Sequence, residues 1–133
     1  MTGALSEHQL YEAAEELGFK LNPIKNIYEL GEVPNGANIV LVSLPETPDT
    51  GHWVAIYKTK DYAFYFDPLG FRPPQRVKNA IHVNRGIYYN MEKIQPITQN
   101  HCGSYSLLFL RDMIHGRGGL FTRFRKHVSR YTI

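Results

Sequence analysis

The chain has 133 residues with a formal net charge of +3, and 43% of its residues are hydrophobic. This length and composition predict one folded domain, residues 1–133, with a single core. No apolar run reaches the ~18 residues that cross a bilayer, and the N-terminal residues lack the pattern of a secretion signal, so we expect no membrane partner and no secretion.

Charge is divided unevenly along the sequence. Residues 1–67 carry ten acidic and four basic residues, whereas residues 68–133 carry eleven basic and two acidic ones. A basic cluster lies near the C-terminus and comprises Arg117, Arg123, Arg125, Lys126 and Arg130. Such a cluster can bind the phosphates of DNA, and it can equally be a solvated helix face. The sequence leaves both interpretations open.

The first half of the chain predicts one helix and then strands. Ser6 and Gln9 have capping-box spacing, and the apolar residues that follow predict a helix over about 6–17. The apolar run at 39–44 predicts a buried strand, and 45–51 predicts a loop. The β-rich runs at 52–57 and 62–67 predict a hairpin.

The second half predicts short strands followed by helices. Prolines make regular structure unfavourable over 68–74, and strands are predicted at 80–83, 86–89 and 93–95. A buried helix is predicted from residue 103 and an amphipathic helix over about 120–130. This order of elements favours an α+β fold over a doubly wound sheet.

The single cysteine, Cys102, immediately precedes the predicted buried helix. It excludes an intrachain disulfide and a four-cysteine zinc site. A lone cysteine can be a small buried hydrophobe or a nucleophile. The helix N-terminus would stabilise a thiolate and supply N–H donors for an oxyanion, and Gly103 would let a substrate backbone approach. This context favours the nucleophile.

A thiol nucleophile needs a base and a carboxylate that orients the base. His52 begins a predicted strand directly after a loop, and Asp67 ends the next strand of the same hairpin. Because the end of one antiparallel strand lies beside the start of its partner, we expect these two side chains to meet at one edge of the sheet. The alternative for Asp67 is a turn-capping role ahead of Pro68.

Three segments resemble those of a known family: GHWVAIY at 51–57, FYFDPLG at 64–70 and QPITQNHCGSYSLLFL at 95–110. They are similar to the adenovirus-type (adenain-like) maturation cysteine proteases and to the proteases of virophages and Polinton-type elements. The order His, acid, Gln, Cys is that of their clan, which also contains the SUMO-specific proteases. The resemblance spans about residues 29–110.

The resemblance implies a cysteine-protease core, in which a central helix carrying the nucleophile packs on a mixed or antiparallel sheet carrying His and Asp. It implies Cys102 as nucleophile, His52 as general base and acid, Asp67 as the orienting acid and Gln95 in the oxyanion hole. Gln99 is the rival for the last role. Trp53, like Gly103, is expected at the substrate-binding site.

By the same resemblance, the substrates are viral capsid or core precursor proteins, cut near Gly-Gly or Gly-x-Gly sequences. No metal and no cofactor is expected. A peptide activator would bind without a disulfide, because the chain has no second cysteine. The expected location is the virion and the host cell, in the nucleus or a cytoplasmic virus factory. Two alternatives remain: a ubiquitin-like-protein isopeptidase of the same clan, and a non-catalytic, nucleic-acid-binding virion protein.

Overall fold

The computed structural model describes residues 5–94 and 99–116, together with the backbone of residues 128–132. The helices are α1 (Glu7–Glu16), α2 (Gln75–Ala80) and α3 (Cys102–Ile114), and a short 3₁₀ turn, Gln99–His101, leads directly into α3. The strands are β1 (Lys25–Asn26), β2 (Gly36–Leu44), β3 (Thr47–Lys58), β4 (Tyr62–Phe66), β5 (Gly86–Asn90) and β6 (Val128–Thr132).

Within the described ranges, the strands form one mixed sheet in sequence order, β1 to β6. The pairs β2–β3, β3–β4 and β5–β6 are antiparallel, and β1–β2 and β4–β5 are parallel. The parallel β4–β5 pair requires a crossover, which contains α2. The predicted α+β fold and the predicted hairpin of β3 and β4 are thereby confirmed.

Helix α1 begins as its sequence predicts. The Ser6 hydroxyl accepts a hydrogen bond from the backbone N–H of Gln9, and the Gln9 side chain accepts one from the backbone N–H of Ser6. This capping box satisfies two N–H groups that the first turn cannot pair internally. Leu10 and Ala14, one turn apart, are buried and attach α1 to the core.

Strand β3 is covered on both faces from Trp53 to Ile56, which is why this part of its sequence is continuously apolar. Trp53 and Ala55 belong to a core cluster on the α1 and α3 side of the sheet, with Leu10, Phe66, Cys102 and Phe109 among its members. Val54 and Ile56 belong to a cluster on the α2 side, with Val77 and Ile87 among its members.

Two predictions were wrong: the loop at 45–51 and the strand at 80–83. The predicted loop 45–51 is largely strand, since β3 already begins at Thr47. Pro48 is tolerated there because the register shifts at Ser43 and Leu44. The predicted strand at 80–83 is not formed: Ala80 is the last residue of helix α2, whose Val77 and Ala80 are buried at helical spacing after the cap residue Pro74, and residues 81–83 are in no regular element.

The C-terminal predictions are corrected where the structure describes them. Lys93 and Ile94 are not in a strand, and Gln95 lies outside the described residues. Residues 128–132 form strand β6 rather than the end of a helix, because they pair with β5 from Gly86 to Asn90. The rest of the predicted helix over 120–130 lies outside the described residues.

Candidate active site

His52 lies in the middle of β3, in the part of the strand that extends beyond the end of β4. Its backbone is opposite Val42 on β2, and its side chain is 12% exposed. The preceding residue must be glycine, because a Cβ on Gly51 would lie 1.9 Å from the carbonyl oxygen of Val42. This close approach of two backbones holds His52 at a defined place on the edge of the sheet.

Asp67 directly follows β4 and meets His52, as the hairpin geometry predicts. The distance between His52 Nε2 and Asp67 Oδ2 is 2.9 Å, and the carboxylate is almost completely buried. The second carboxylate oxygen, Oδ1, accepts a hydrogen bond of 2.8 Å from the backbone N–H of Leu69. Both oxygens therefore have partners, which holds the carboxylate in one orientation.

The His52–Asp67 contact determines which imidazole nitrogen is available for chemistry. A carboxylate can only accept hydrogen bonds. Nε2 therefore carries the imidazole proton and donates a hydrogen bond to Asp67. In neutral imidazole the other nitrogen, Nδ1, then has the lone pair. In this tautomer Nδ1 is the nitrogen at which His52 can accept a proton.

Asn90, at the end of β5, fixes the backbone of Asp67 and was missed at the sequence level. Its Oδ1 accepts from the Asp67 N–H at 2.9 Å, and its Nδ2 donates to the Asp67 carbonyl at 2.7 Å and to the Glu92 carbonyl at 3.1 Å. The amide is buried. A polar residue ending the apolar strand GIYYN, beside the strand that carries Asp67, was the available signal.

We expect Asn90→Ala to lower the free energy of unfolding by about 2–3 kcal/mol, because it leaves a buried N–H and carbonyl of Asp67 without this partner. Urea denaturation of the two proteins measures this difference. The matched control is Asn84→Ala, which removes an exposed hydrogen bond to Asp61 and should change the same free energy by less than about 0.5 kcal/mol. Equal effects of the two substitutions would contradict the stabilising role of the hydrogen bonds between Asn90 and the Asp67 backbone.

Cys102 is the first residue of α3 and is fully buried, on the same side of the sheet as Trp53. Two contacts hold α3 against the sheet. The rings of Phe109 and Phe66 stack with their centroids 4.7 Å apart, and the Ser106 hydroxyl donates to the carbonyl of Trp53 at 3.4 Å. Phe66 and Trp53 are the chain neighbours of Asp67 and His52, so α3 packs against the two strands next to the His–Asp pair.

The thiol is held in its neutral form. Burial raises the pKa of Cys102 from its ordinary value of 9.0 to about 12, the negative charge of Asp67 contributes to the rise, and Lys93 opposes it. The thiolate expected at a helix N-terminus is therefore not favoured here, because the cost of burying a charge exceeds the effect of the helix dipole. The arrangement suits a thiol that loses its proton to a base only during attack.

Alkylation of Cys102 by iodoacetamide should be slow at neutral pH. Because the thiol pKa is raised to about 12, the rate should rise about tenfold per pH unit from pH 7 to 10 without a plateau. In guanidinium, the unfolded chain should instead level off above a pH of about 8.5. A rate plateau of the folded protein near pH 7 would show a resting thiolate and contradict this result.

The two residues expected to bind substrate, Trp53 and Gly103, contact each other at the start of α3. A Cβ on Gly103 would lie 3.2 Å from Trp53 Cδ1 and 3.2 Å from Leu10 Cδ2. Gly103 therefore allows α1 and Trp53 to pack closely against α3. The Trp53 indole N–H donates to the carbonyl of Leu5 at 2.8 Å. Their predicted contact with substrate stays a prediction.

A cavity of about 410 Å³ opens beside the two chain neighbours of His52. Its wall includes Gly51, Trp53 and Leu41, together with the start of α1. Three carboxylate side chains also line it: Glu7, Glu29 and Asp49. Among the described residues, its lining includes none of His52, Asp67 and Cys102.

The comparisons with known proteins bear on the fold. No protein-family model and no curated protein matches the chain. Among solved structures, the ASFV pS273R protease matches at 16% identity with a TM-score of 0.53. The match covers 87% of this chain and 59% of that protease, so the chain spans less than two thirds of its length. This chain shares the fold of that protease.

Gln95 and most of the C-terminal basic cluster fall outside the ranges that the structure describes. Gln95, Arg117, Arg123, Arg125 and Lys126 lie outside the described residues, and Arg130 is described only as a backbone position in β6 opposite Tyr88. In the described part of the chain, His, Cys, Asp and Glu side chains form no group of three that could hold a metal ion. No helix among these residues has the length and apolar character needed to cross a membrane.

Proposed function

We propose that the protein is a cysteine endopeptidase in which Cys102, His52 and Asp67 form the triad. The observation that carries this proposal is the buried hydrogen bond between His52 Nε2 and Asp67 Oδ2, on a sheet against which the helix of the single thiol packs. The fold is shared with a protease. A catalytic role for the His52–Asp67 pair and the Cys102 thiol therefore has more support than a purely structural role. The similarity to the ASFV pS273R protease supports the fold, and the His52–Asp67 hydrogen bond supports the reaction.

In the proposed reaction, Nδ1 of His52 takes the proton of the Cys102 thiol while the sulfur attacks the carbonyl carbon of the peptide. The oxyanion accepts hydrogen bonds from the backbone N–H of Cys102 and from the side-chain amide of Gln95. When the C–N bond breaks, His52 returns its proton to the leaving amine and a thioester remains. A water, deprotonated by His52, then hydrolyses the thioester and the thiol regains a proton.

Burial of the His–Asp pair is what makes this chemistry efficient. Asp67 stabilises the imidazolium that forms after proton transfer, and the low-polarity surroundings strengthen that attraction. The same surroundings hold the thiol neutral before substrate arrives. Proton transfer is therefore coupled to attack, as in a serine protease, rather than completed beforehand.

For the substrates we propose viral structural precursors cut near Gly-Gly or Gly-x-Gly sequences, as the resemblance to adenovirus-type maturation proteases implies. A peptide activator would bind non-covalently, since Cys102 is the only thiol. The separation of charge along the sequence supports DNA as a partner of the basic C-terminal half. Such binding would place the enzyme in the virion or at sites of virus assembly.

The test is labelling with a peptide that ends in glycine and carries an electrophile at its C-terminus. Wild-type protein should form a covalent adduct at Cys102, seen by mass spectrometry, and Cys102→Ala should form none. His52→Ala should react far more slowly, which separates a base-assisted thiol from an incidental one. An adduct that forms equally well in His52→Ala would refute the triad. A ubiquitin-like fusion cleaved in preference to the free peptide would favour an isopeptidase.

A further inference from the structure

Phe71 is a large hydrophobic residue that the fold leaves 62% exposed beside the candidate base. Its ring centroid lies 6.1 Å from that of His52, with the planes tilted by 58°. This is the range of a direct aromatic contact. Exposing a phenyl ring to water is unfavourable, so its position next to His52 calls for an explanation.

The loop that carries Phe71 is fixed by backbone contacts. Gly70, with φ of +79°, fits only as glycine because a Cβ there would lie 2.7 Å from the backbone nitrogen of Lys93. Its N–H donates to the Asp67 carbonyl at 2.8 Å, and the N–H of Ile94 donates to the Pro68 carbonyl at 3.0 Å. Phe71 directly follows this fixed segment, which begins at Asp67.

The chemistry of the proposed reaction determines what can reach Phe71. His52 must protonate the leaving nitrogen, so the residue that follows the scissile bond has to lie against its imidazole. A side chain on that residue therefore comes next to the ring of Phe71. Contact with an apolar side chain would remove both surfaces from water, whereas a carboxylate side chain would lose hydration there without gaining a partner.

From this geometry we infer that Phe71 forms a subsite for an apolar side chain immediately after the scissile bond. The inference rests on the proposed function and makes the substrate class narrower: glycine on the acyl side, then an apolar residue on the leaving side. Phe71 acts in this scheme as a specificity residue. It binds the leaving segment and takes no part in proton transfer.

The experiment compares two peptides that differ only after a Gly-Gly sequence, with Leu or Gly as the next residue, and the methyl ester of the same acyl segment. Wild-type protein should cleave the Leu peptide with a kcat/KM about tenfold above that of the Gly peptide. Phe71→Ala should bring this ratio to within about twofold of one, through a loss on the Leu peptide that is larger than any loss on the ester. Phe71→Leu should retain part of the preference.

The matched control is Ile114→Ala, which truncates another exposed hydrophobic residue at the opposite end of α3 from Cys102. It should leave the peptide ratio as in wild type. An unchanged ratio in Phe71→Ala would overturn the inference, and so would an equal loss on the ester, which would mean that Phe71 supports His52 instead. A wild-type protein that cleaves neither peptides nor ester would overturn the proposed function itself.

Discussion

Cys102→Ser is expected to lower kcat on a Gly-Gly peptide by about 10³-fold or more. The hydroxyl of serine is a much weaker acid than a thiol, and in the proposed reaction His52 has to deprotonate this group. The protein should stay folded, because the side chains have nearly the same shape. Initial rates with a fluorogenic peptide give the activity, and near-UV circular dichroism reports the fold.

The control for this substitution is Ser104→Ala, which lies in the first turn of the same helix and is exposed. It should leave kcat within about twofold of wild type, as expected for a surface change. If Cys102→Ser keeps the wild-type rate, the nucleophile lies elsewhere and the protease assignment fails. If both variants lose activity together, the loss reflects damage to α3 rather than the chemistry of the thiol.

Asp67→Asn should reduce kcat by about 10² to 10⁴-fold, the upper figure being that of the equivalent change in a serine protease. The hydrogen bond from the Leu69 N–H requires an oxygen at the Oδ1 position. The new NH₂ group would then face His52 Nε2 and donate to it. This forces the imidazole proton onto Nδ1. A protonated Nδ1 can no longer accept the proton of the thiol.

Two measurements separate this tautomer effect from a loss of stability. The chemical shifts of the imidazole nitrogens should show that the proton has moved from Nε2 to Nδ1. The control variant Asp61→Asn changes an exposed carboxylate that accepts a hydrogen bond from Asn84, and it should leave both kcat and the tautomer unchanged. Full activity in Asp67→Asn would mean that this carboxylate does not orient the base.

The features predicted correctly from sequence are those that depend on local pattern. Two β-rich runs on either side of a short polar segment located the hairpin, and antiparallel geometry then placed His52 beside Asp67. The capping box located the start of α1. In each case neighbouring residues in the chain, or the two arms of a single turn, determine the structure.

The features that were missed depend on contacts between distant segments. Asn90 is 23 residues from Asp67, and nothing in its own neighbourhood shows which backbone it will bind. The neutral state of Cys102 follows from burial by several elements and from the charge of Asp67, whereas the sequence shows only the helix that starts there. Helix α2 was not predicted, and its last residue, Ala80, fell in a predicted strand, because six residues show too few turns to reveal a helical period.

The order in which the proposed triad is assembled follows from the separations of its residues along the chain. His52 and Asp67 are 15 residues apart and meet within one hairpin, whereas the contact between Ser106 and Trp53 that docks α3 spans 53 residues. Contacts that close short loops lose less chain entropy and tend to form earlier in folding. The base and its carboxylate can therefore be in place while the nucleophile is still unattached. Hydrolytic activity should appear only in the last stage of folding, so that partly folded copies are harmless to one another.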